Sequence, residues 1–162
     1  MSEKVDAKSI LTDAIYREIE ARNFYQRIGD TITNEEGKKK FYQLSKDEES
    51  HREKLTRWYK RLFSEEFELD VNEIGESEAS FFEAKDSTSA MEALDIAIKA
   101  EARAEDFYRS RANQVEQEEL KALLEELAEQ EHGHYNLLLA ERNAIVGGFY
   151  WFDMDSSGFL ED

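Results

Sequence analysis

Glu48-Glu49-Ser50-His51 and Glu131-His132-Gly133-His134 are the two stretches that decide how this chain folds. Each is a Glu-x-x-His, and residues three apart on an α-helix project from one face, one turn apart. A carboxylate and an imidazole so placed can reach the same metal ion. One such pair is weak, because Glu and His meet at this spacing by chance in acidic helices. Two in register are not: Glu131 follows Glu48 by 83 positions, and His134 follows His51 by the same 83. The offset extends upstream through Glu18 and Glu101, Ala21 and Ala104, Phe24 and Phe107, and Tyr25 and Tyr108. The apolar frame obeys it too, pairing Leu11 with Leu94, Ala14 with Ala97, Ile15 with Ile98, Leu44 with Leu127 and Leu55 with Leu138. An internal repeat of one helical hairpin accounts for all of these pairs.

Around the motifs the spacing predicts four long helices. Asp6 or Ser9 caps the first, whose apolar positions run Ile10, Leu11, Ala14, Ile15, Ala21, Phe24, Tyr25 and Ile28. Glu18 lies on that stripe, where an unpaired charge would be costly, while Glu20 points elsewhere and reads as surface. A polar turn is expected over Asp30 to Thr33, then Asn34 as cap of a second helix reaching about Phe63. Phe41, Leu44 and Leu55 place Glu48 and His51 inward, with Asp47 and Glu49 as exposed neighbours. Ser64 to Ser87 break the period and read as a long crossover, with a short helical piece near Ala79 to Glu83. Ser89-Ala90-Met91-Glu92 matches a capping box opening the third helix. The fourth is expected from about Glu116 to Ile145, ended by Gly147-Gly148, with Leu120, Leu123, Leu124, Leu127 and Leu138 facing inward. His132 points outward, and Glu125, Glu126 and Glu129 form a charged face.

The fold class is therefore all-α: an antiparallel four-helix bundle of two repeated hairpins with one long crossover between helices 2 and 3. Residues 1–148 form the bundle and 149–162 an aromatic then acidic tail. The aromatics Phe149 to Phe152 are expected to cover an apolar surface of the bundle or of a neighbouring subunit. Asp153-x-Asp155-x-Ser157-Gly158 resembles the opening of a calcium loop, but its final bidentate Glu would fall after Asp162, so no calcium site is expected.

Composition narrows the chemistry. The 162 residues carry a formal net charge of −17, which repels nucleic acid and anionic membrane surfaces. There is no proline to interrupt long helices. There is no cysteine, which removes thiolate catalysis, disulfides, iron–sulfur clusters and a four-thiolate iron site on this chain. No apolar run suits a membrane span or a signal peptide, and a cytoplasmic location is expected. What remains is Glu18, Glu48, His51, Glu101, Glu131 and His134. Four carboxylates and two imidazoles in a low-dielectric core need positive charge, and two divalent ions supply it. Mixed imidazole and carboxylate donors suit iron or manganese.

These residues resemble the ferritin-like di-iron carboxylate superfamily, and within it the rubrerythrin-like group. The resemblance rests on Glu18 with Ala21 to Tyr25, Glu48-x-x-His51, Glu101 with Ala104 to Tyr108, and Glu131-x-x-His134, and it spans about Ile10 to Ile145. It implies a ferritin-like bundle holding two iron ions, with manganese or zinc as substitutes. Glu18 and Glu101 would be terminal ligands, Glu48 and Glu131 bridges, and His51 and His134 ligands to one ion each. Tyr25 and Tyr108, two turns beyond their Glu, would donate to ligand carboxylates across the bundle. The implied activity is oxidation of a diferrous centre by dioxygen or hydrogen peroxide; an iron-storage protein and a dimanganese catalase-like enzyme are the alternatives. Two departures stand out. The four cysteines of a rubredoxin-like domain are absent, so electrons would come from a separate donor such as a rubredoxin. The third-helix position where rubrerythrins carry a further carboxylate is Ala104. A homodimer is the expected assembly.

Overall fold

The computed structural model describes residues 6–75 and 87–146, the side chains of 87–90 excepted. Four helices account for most of them: α1 (Ala7–Thr31), α2 (Glu35–Phe63), α3 (Ser87–Ala112) and α4 (Glu118–Val146). No helix among the described residues is long and apolar enough to cross a membrane.

The ends of the helices follow local hydrogen bonding. Asn34 caps α2 as its side chain suggests, its Oδ1 accepting from the Gly37 amide at 2.8 Å. Asp6 stands at the start of α1 but makes no side-chain cap bond. The expected turn at Asp30 is shorter, because α1 continues through Thr31, whose hydroxyl donates to the Arg27 carbonyl at 2.7 Å. The next residue, Ile32, is buried and donates its amide to the Ile28 carbonyl at 3.1 Å. α3 begins at Ser87, so Ser89 lies within the helix and not at its cap. α4 starts two residues later than expected, with the Lys121 amide bonded back to the Gln117 carbonyl. Ala79 to Glu83, Gly147-Gly148 and the tail from Phe149 fall outside the described residues.

α2 stops where Ser64 takes a left-handed conformation (φ 56°) and bonds back to the Lys60 carbonyl. The described part of the crossover, residues 64–75, then runs along α1. Its Asp70 amide donates to the Tyr16 hydroxyl at 2.9 Å, and its Gly75 amide to Glu20 Oε2 at 2.8 Å. Glu20 is therefore not a free surface acid: it fastens the crossover to the bundle. A Cβ at position 75 would fall 2.8 Å from that same oxygen, so a larger residue there would make the Glu20 carboxylate shift. Between these ties lies a single 3-10 turn, Val71–Glu73, capped by the Asp70 side chain on the Asn72 amide.

Side-chain partners give the topology. Tyr25 meets Glu101 and Tyr108 meets Glu18, so α1 and α3 run in opposite directions. Lys40 meets Glu141 and Arg61 meets Glu119, so α2 and α4 do too. Each hairpin is itself antiparallel, as Arg22–Glu49 with Gly29–Lys38, and Asp95–Arg142 with Arg109–Glu129, show. The hairpins pack tightly within themselves and meet each other chiefly through side chains.

Those side chains form two apolar clusters, each drawn from all four helices. One contains Phe24, Tyr25, Phe41, Leu44, Leu94, Ala97 and Leu138. The other contains Leu11, Ala14, Leu55, Phe107, Tyr108, Leu124 and Leu127. Adding or subtracting 83 converts one set into the other, so the clusters are images about a pseudo-two-fold axis. The interval between them is polar. Leu55 and Leu138 occupy equivalent places and are both 0 % exposed, whereas their neighbour Leu137 is 36 % exposed. Leu55→Ala and Leu138→Ala should each cost about 2–5 kcal/mol in denaturant titrations, and Leu137→Ala within about 0.5 kcal/mol of nothing.

Candidate metal centre

The polar interval is where the repeat places its ligand-type residues. Glu18 comes from α1, Glu48 and His51 from α2, Glu101 from α3, and Glu131 and His134 from α4. All six are buried, with exposures from 1 % to 8 %. They resolve into two overlapping sets, Glu18–Glu48–His51–Glu131 and Glu48–Glu101–Glu131–His134. Within each set one atom from every residue lies within 4.8 Å of the others, and Glu48 and Glu131 belong to both. The two imidazole rings lie nearly parallel, 6.0 Å apart.

The unpaired atoms show what kind of group the site would suit. Glu18 Oε1, Glu48 Oε1, His51 Nδ1, Glu101 Oε1, Glu131 Oε1 and His134 Nδ1 are buried without a hydrogen-bond partner. Only Arg111 Nε joins them among the described residues. Buried polar atoms are ordinarily paired, and stranding one costs about 1–3 kcal/mol. Six such atoms from six residues face one volume, with His51 Nδ1 3.0 Å from Glu48 Oε1 and His134 Nδ1 3.2 Å from Glu131 Oε1, an arrangement that bound cations would satisfy. Four carboxylates and two neutral imidazole nitrogens are the donor set that fits two divalent ions.

The remaining atoms of these side chains are held. The Tyr25 hydroxyl donates to Glu101 Oε2 and the Tyr108 hydroxyl to Glu18 Oε2, both at 2.5 Å and both between hairpins. Burial, then the neighbouring carboxylates, pushes both phenols well above their ordinary range, so they stay donors. Each imidazole turns Nδ1 inward and Nε2 outward. His51 Nε2 contacts Gln130 Oε1 at 2.5 Å, and His134 Nε2 contacts Asp47 Oδ2 at 3.1 Å. Such an outer acceptor holds a proton on Nε2 and turns Nδ1 toward the carboxylates.

Asp47 keeps 39 % of its side chain exposed, as its place beside Glu48 suggested, but it is not idle. It is half-buried, and its bond to His134 holds its carboxyl below the usual range. The signal was present in the spacing, since position 47 lies three after Leu44 and four before His51. Glu49 is likewise engaged, by Arg22 at 2.7 Å and by Arg52. His132 points outward as expected, but its Nδ1 lies 2.9 Å from Glu105 and its ring stacks on Tyr135.

Burial, and then mutual repulsion, raises the Glu48 and Glu131 carboxyls well above the carboxylate range. Burial opposes a charge on His51, but Glu18, Glu131 and Gln130 outweigh it and lift the imidazole to about 9. His134 is raised as well, against burial, chiefly by Asp47, Glu101 and Glu131.

Between α1 and α3 a cavity of about 550 Å³ descends to Glu18, Glu48, Glu101 and Glu131. Its wall includes Ala21 and Ala104, whose small side chains keep the passage open, with Phe24 and Phe107 beside them.

The Rubrerythrin family model matches residues 9–142. A hypothetical protein from Pyrococcus furiosus superposes with a TM-score of 0.77 at 30 % identity, over 88 % of this chain and 91 % of that one. A protein from Thermotoga maritima, provisionally described as a ferritin-like diiron-carboxylate protein, superposes with a TM-score of 0.64 at 22 % identity, over 88 % and 98 %. No curated protein matches.

The raised groups set a pH dependence. His51 binds its proton more tightly folded, at about 9, than unfolded, near 6.5, so its contribution to stability is complete below 6.5 and lost by 9. Glu48 and Glu131, raised as well, push in the same direction. Metal ligation needs these groups deprotonated. The gap in Tm between metal-loaded and chelator-treated protein should therefore widen from pH 6.5 to 9; a gap that narrows would contradict the buried cluster.

Proposed function

Because the chain belongs to the rubrerythrin family, we propose that the cluster holds two iron ions and that the protein is an oxidoreductase whose diferrous centre is oxidised by hydrogen peroxide or dioxygen. The observation that carries this reading is the set of six buried ligand-type atoms without partners, three from each hairpin. Glu18 and His51 would hold one ion and Glu101 and His134 the other, with Glu48 and Glu131 shared between them, as their membership of both sets favours. Two divalent ions then offset four carboxylates. Iron would supply one electron per ion, and two electrons with two protons reduce one peroxide to two waters.

The chain's own residues perform the rest. Tyr108 and Tyr25 fix Glu18 and Glu101 by Oε2 and leave Oε1 of each to a metal. Asp47 and Gln130 keep the proton of each imidazole on Nε2, so Nδ1 arrives as a neutral donor. The cavity between α1 and α3 admits a small oxidant to the carboxylate side of the cluster, opposite the imidazoles. Ala104, where rubrerythrins carry a further carboxylate, adds to that space. With no cysteine in the chain, the returning electrons come from a separate donor, of which a rubredoxin is the expected kind.

Anaerobic loading with ferrous ion should give two ions per chain, and peroxide or dioxygen should then produce ferric absorbance with matching consumption of oxidant. Glu48→Ala or Glu131→Ala should abolish paired binding. Two ions per chain in both variants would refute the assignment, and many ions per chain would favour storage.

A further inference from the structure

The repeat relates Gln43 to Glu126 and Asp47 to Gln130, each pair 83 apart. In both halves one amide and one acid sit a turn apart beside an imidazole, but their order is exchanged. On one side His134 Nε2 faces the Asp47 carboxylate directly, at 3.1 Å, and Asp47 in turn accepts from Gln43 at 2.9 Å. On the other, His51 Nε2 faces the Gln130 amide oxygen at 2.5 Å. Gln130 donates onward to Glu126 at 3.1 Å, and Lys54 pairs with that carboxylate at 3.2 Å. The bond from Gln130 to Glu126 turns the amide so that its oxygen faces His51. One imidazole therefore leans on a carboxylate, and the other on a neutral amide whose acid is a step removed and already paired with a cation.

Resting on the di-metal reading above, we infer that the two metal positions are inequivalent and fill in order, the position of Glu101 and His134 before that of Glu18 and His51, with Asp47 and Gln130 as the positioning residues that set the order. A carboxylate behind a ligating imidazole raises its donor strength and adds negative charge near the ion. An amide fixes the same tautomer without the charge. The six ligands match across the repeat, so the difference arises behind the imidazoles. Loss of such an outer partner typically weakens metal binding about 10–100-fold, which is the difference expected between the two positions.

The test counts which position fills first. Cobalt(II) bound at Nδ1 leaves each imidazole with an Nε2–H whose resonance is strongly shifted and exchangeable with water. With one equivalent of cobalt(II) added to the metal-free protein, one of the two resonances should dominate by about three- to tenfold, the square root of the affinity ratio; with two equivalents both should be present. Asp47→Asn should bring the single-equivalent intensities close together, and so should Gln130→Glu, which places a carboxylate in both halves. The double exchange Asp47→Gln with Gln130→Asp should reverse the order. Equal intensities in the unaltered protein at one equivalent, or an order that survives the double exchange, would overturn the inference. Saturation below two cobalt ions per chain would overturn the di-metal reading itself, and the count distinguishes that outcome from the others.

Discussion

Four carboxylates gathered in the interior of a bundle are the constraint on which the rest of this structure depends. In a low-dielectric core they repel one another and lose the solvation that would stabilise them, and no ordinary core tolerates that without compensation. Every neighbouring choice responds to it. Two phenols hold one oxygen each of Glu18 and Glu101. Two imidazoles turn Nδ1 into the same volume. Apolar clusters on either side hold the helices at the spacing the acids need, much as layers of wall enclose a chamber. The remaining imbalance is what two cations would meet, which places the proposed chemistry in the interior and not in a loop or surface cleft.

The pseudo-two-fold arrangement makes this economical. Two symmetry-related tyrosine bonds cross between hairpins, and each apolar cluster is the image of the other. Backbone register is repeated more faithfully than side-chain chemistry. Arg22 on α1 pairs with Glu49 on α2, whereas the equivalent residues on α3 and α4 are Glu105 and His132, with the charges exchanged. Gln43 and Asp47 become Glu126 and Gln130 in the same way. The ligand-type residues are the most symmetric layer and their surroundings the least.

Much of this was legible in the residues alone. The helical spacing, the two Glu-x-x-His motifs and the 83-residue offset were sufficient to predict four helices and six inward ligand-type residues, because burial of a charge on an apolar stripe is a strong local signal. The phenol donors were legible for the same reason, since Tyr25 and Tyr108 repeat with their acids. What escaped was non-local. Asp47 looked idle because its partner is on α4, and Glu20 looked like surface because its partner is the Gly75 amide of the crossover. Helix ends escaped too: Ser89 has the chemistry of a cap, yet α3 begins at Ser87. Such ends depend on single hydrogen bonds, which periodicity does not encode.

The phenol bonds that run from one hairpin to the other carry a last implication. Neither hairpin can settle its own acids: Glu18 depends on Tyr108, Glu101 on Tyr25, and each ligand set borrows a carboxylate from the opposite half. The halves are therefore complementary fragments, and the covalent link between α2 and α3 is only one of the things joining them. A chain nicked there would still have reason to reassemble, and a hairpin from one copy could complete the half-site of another without a single new contact.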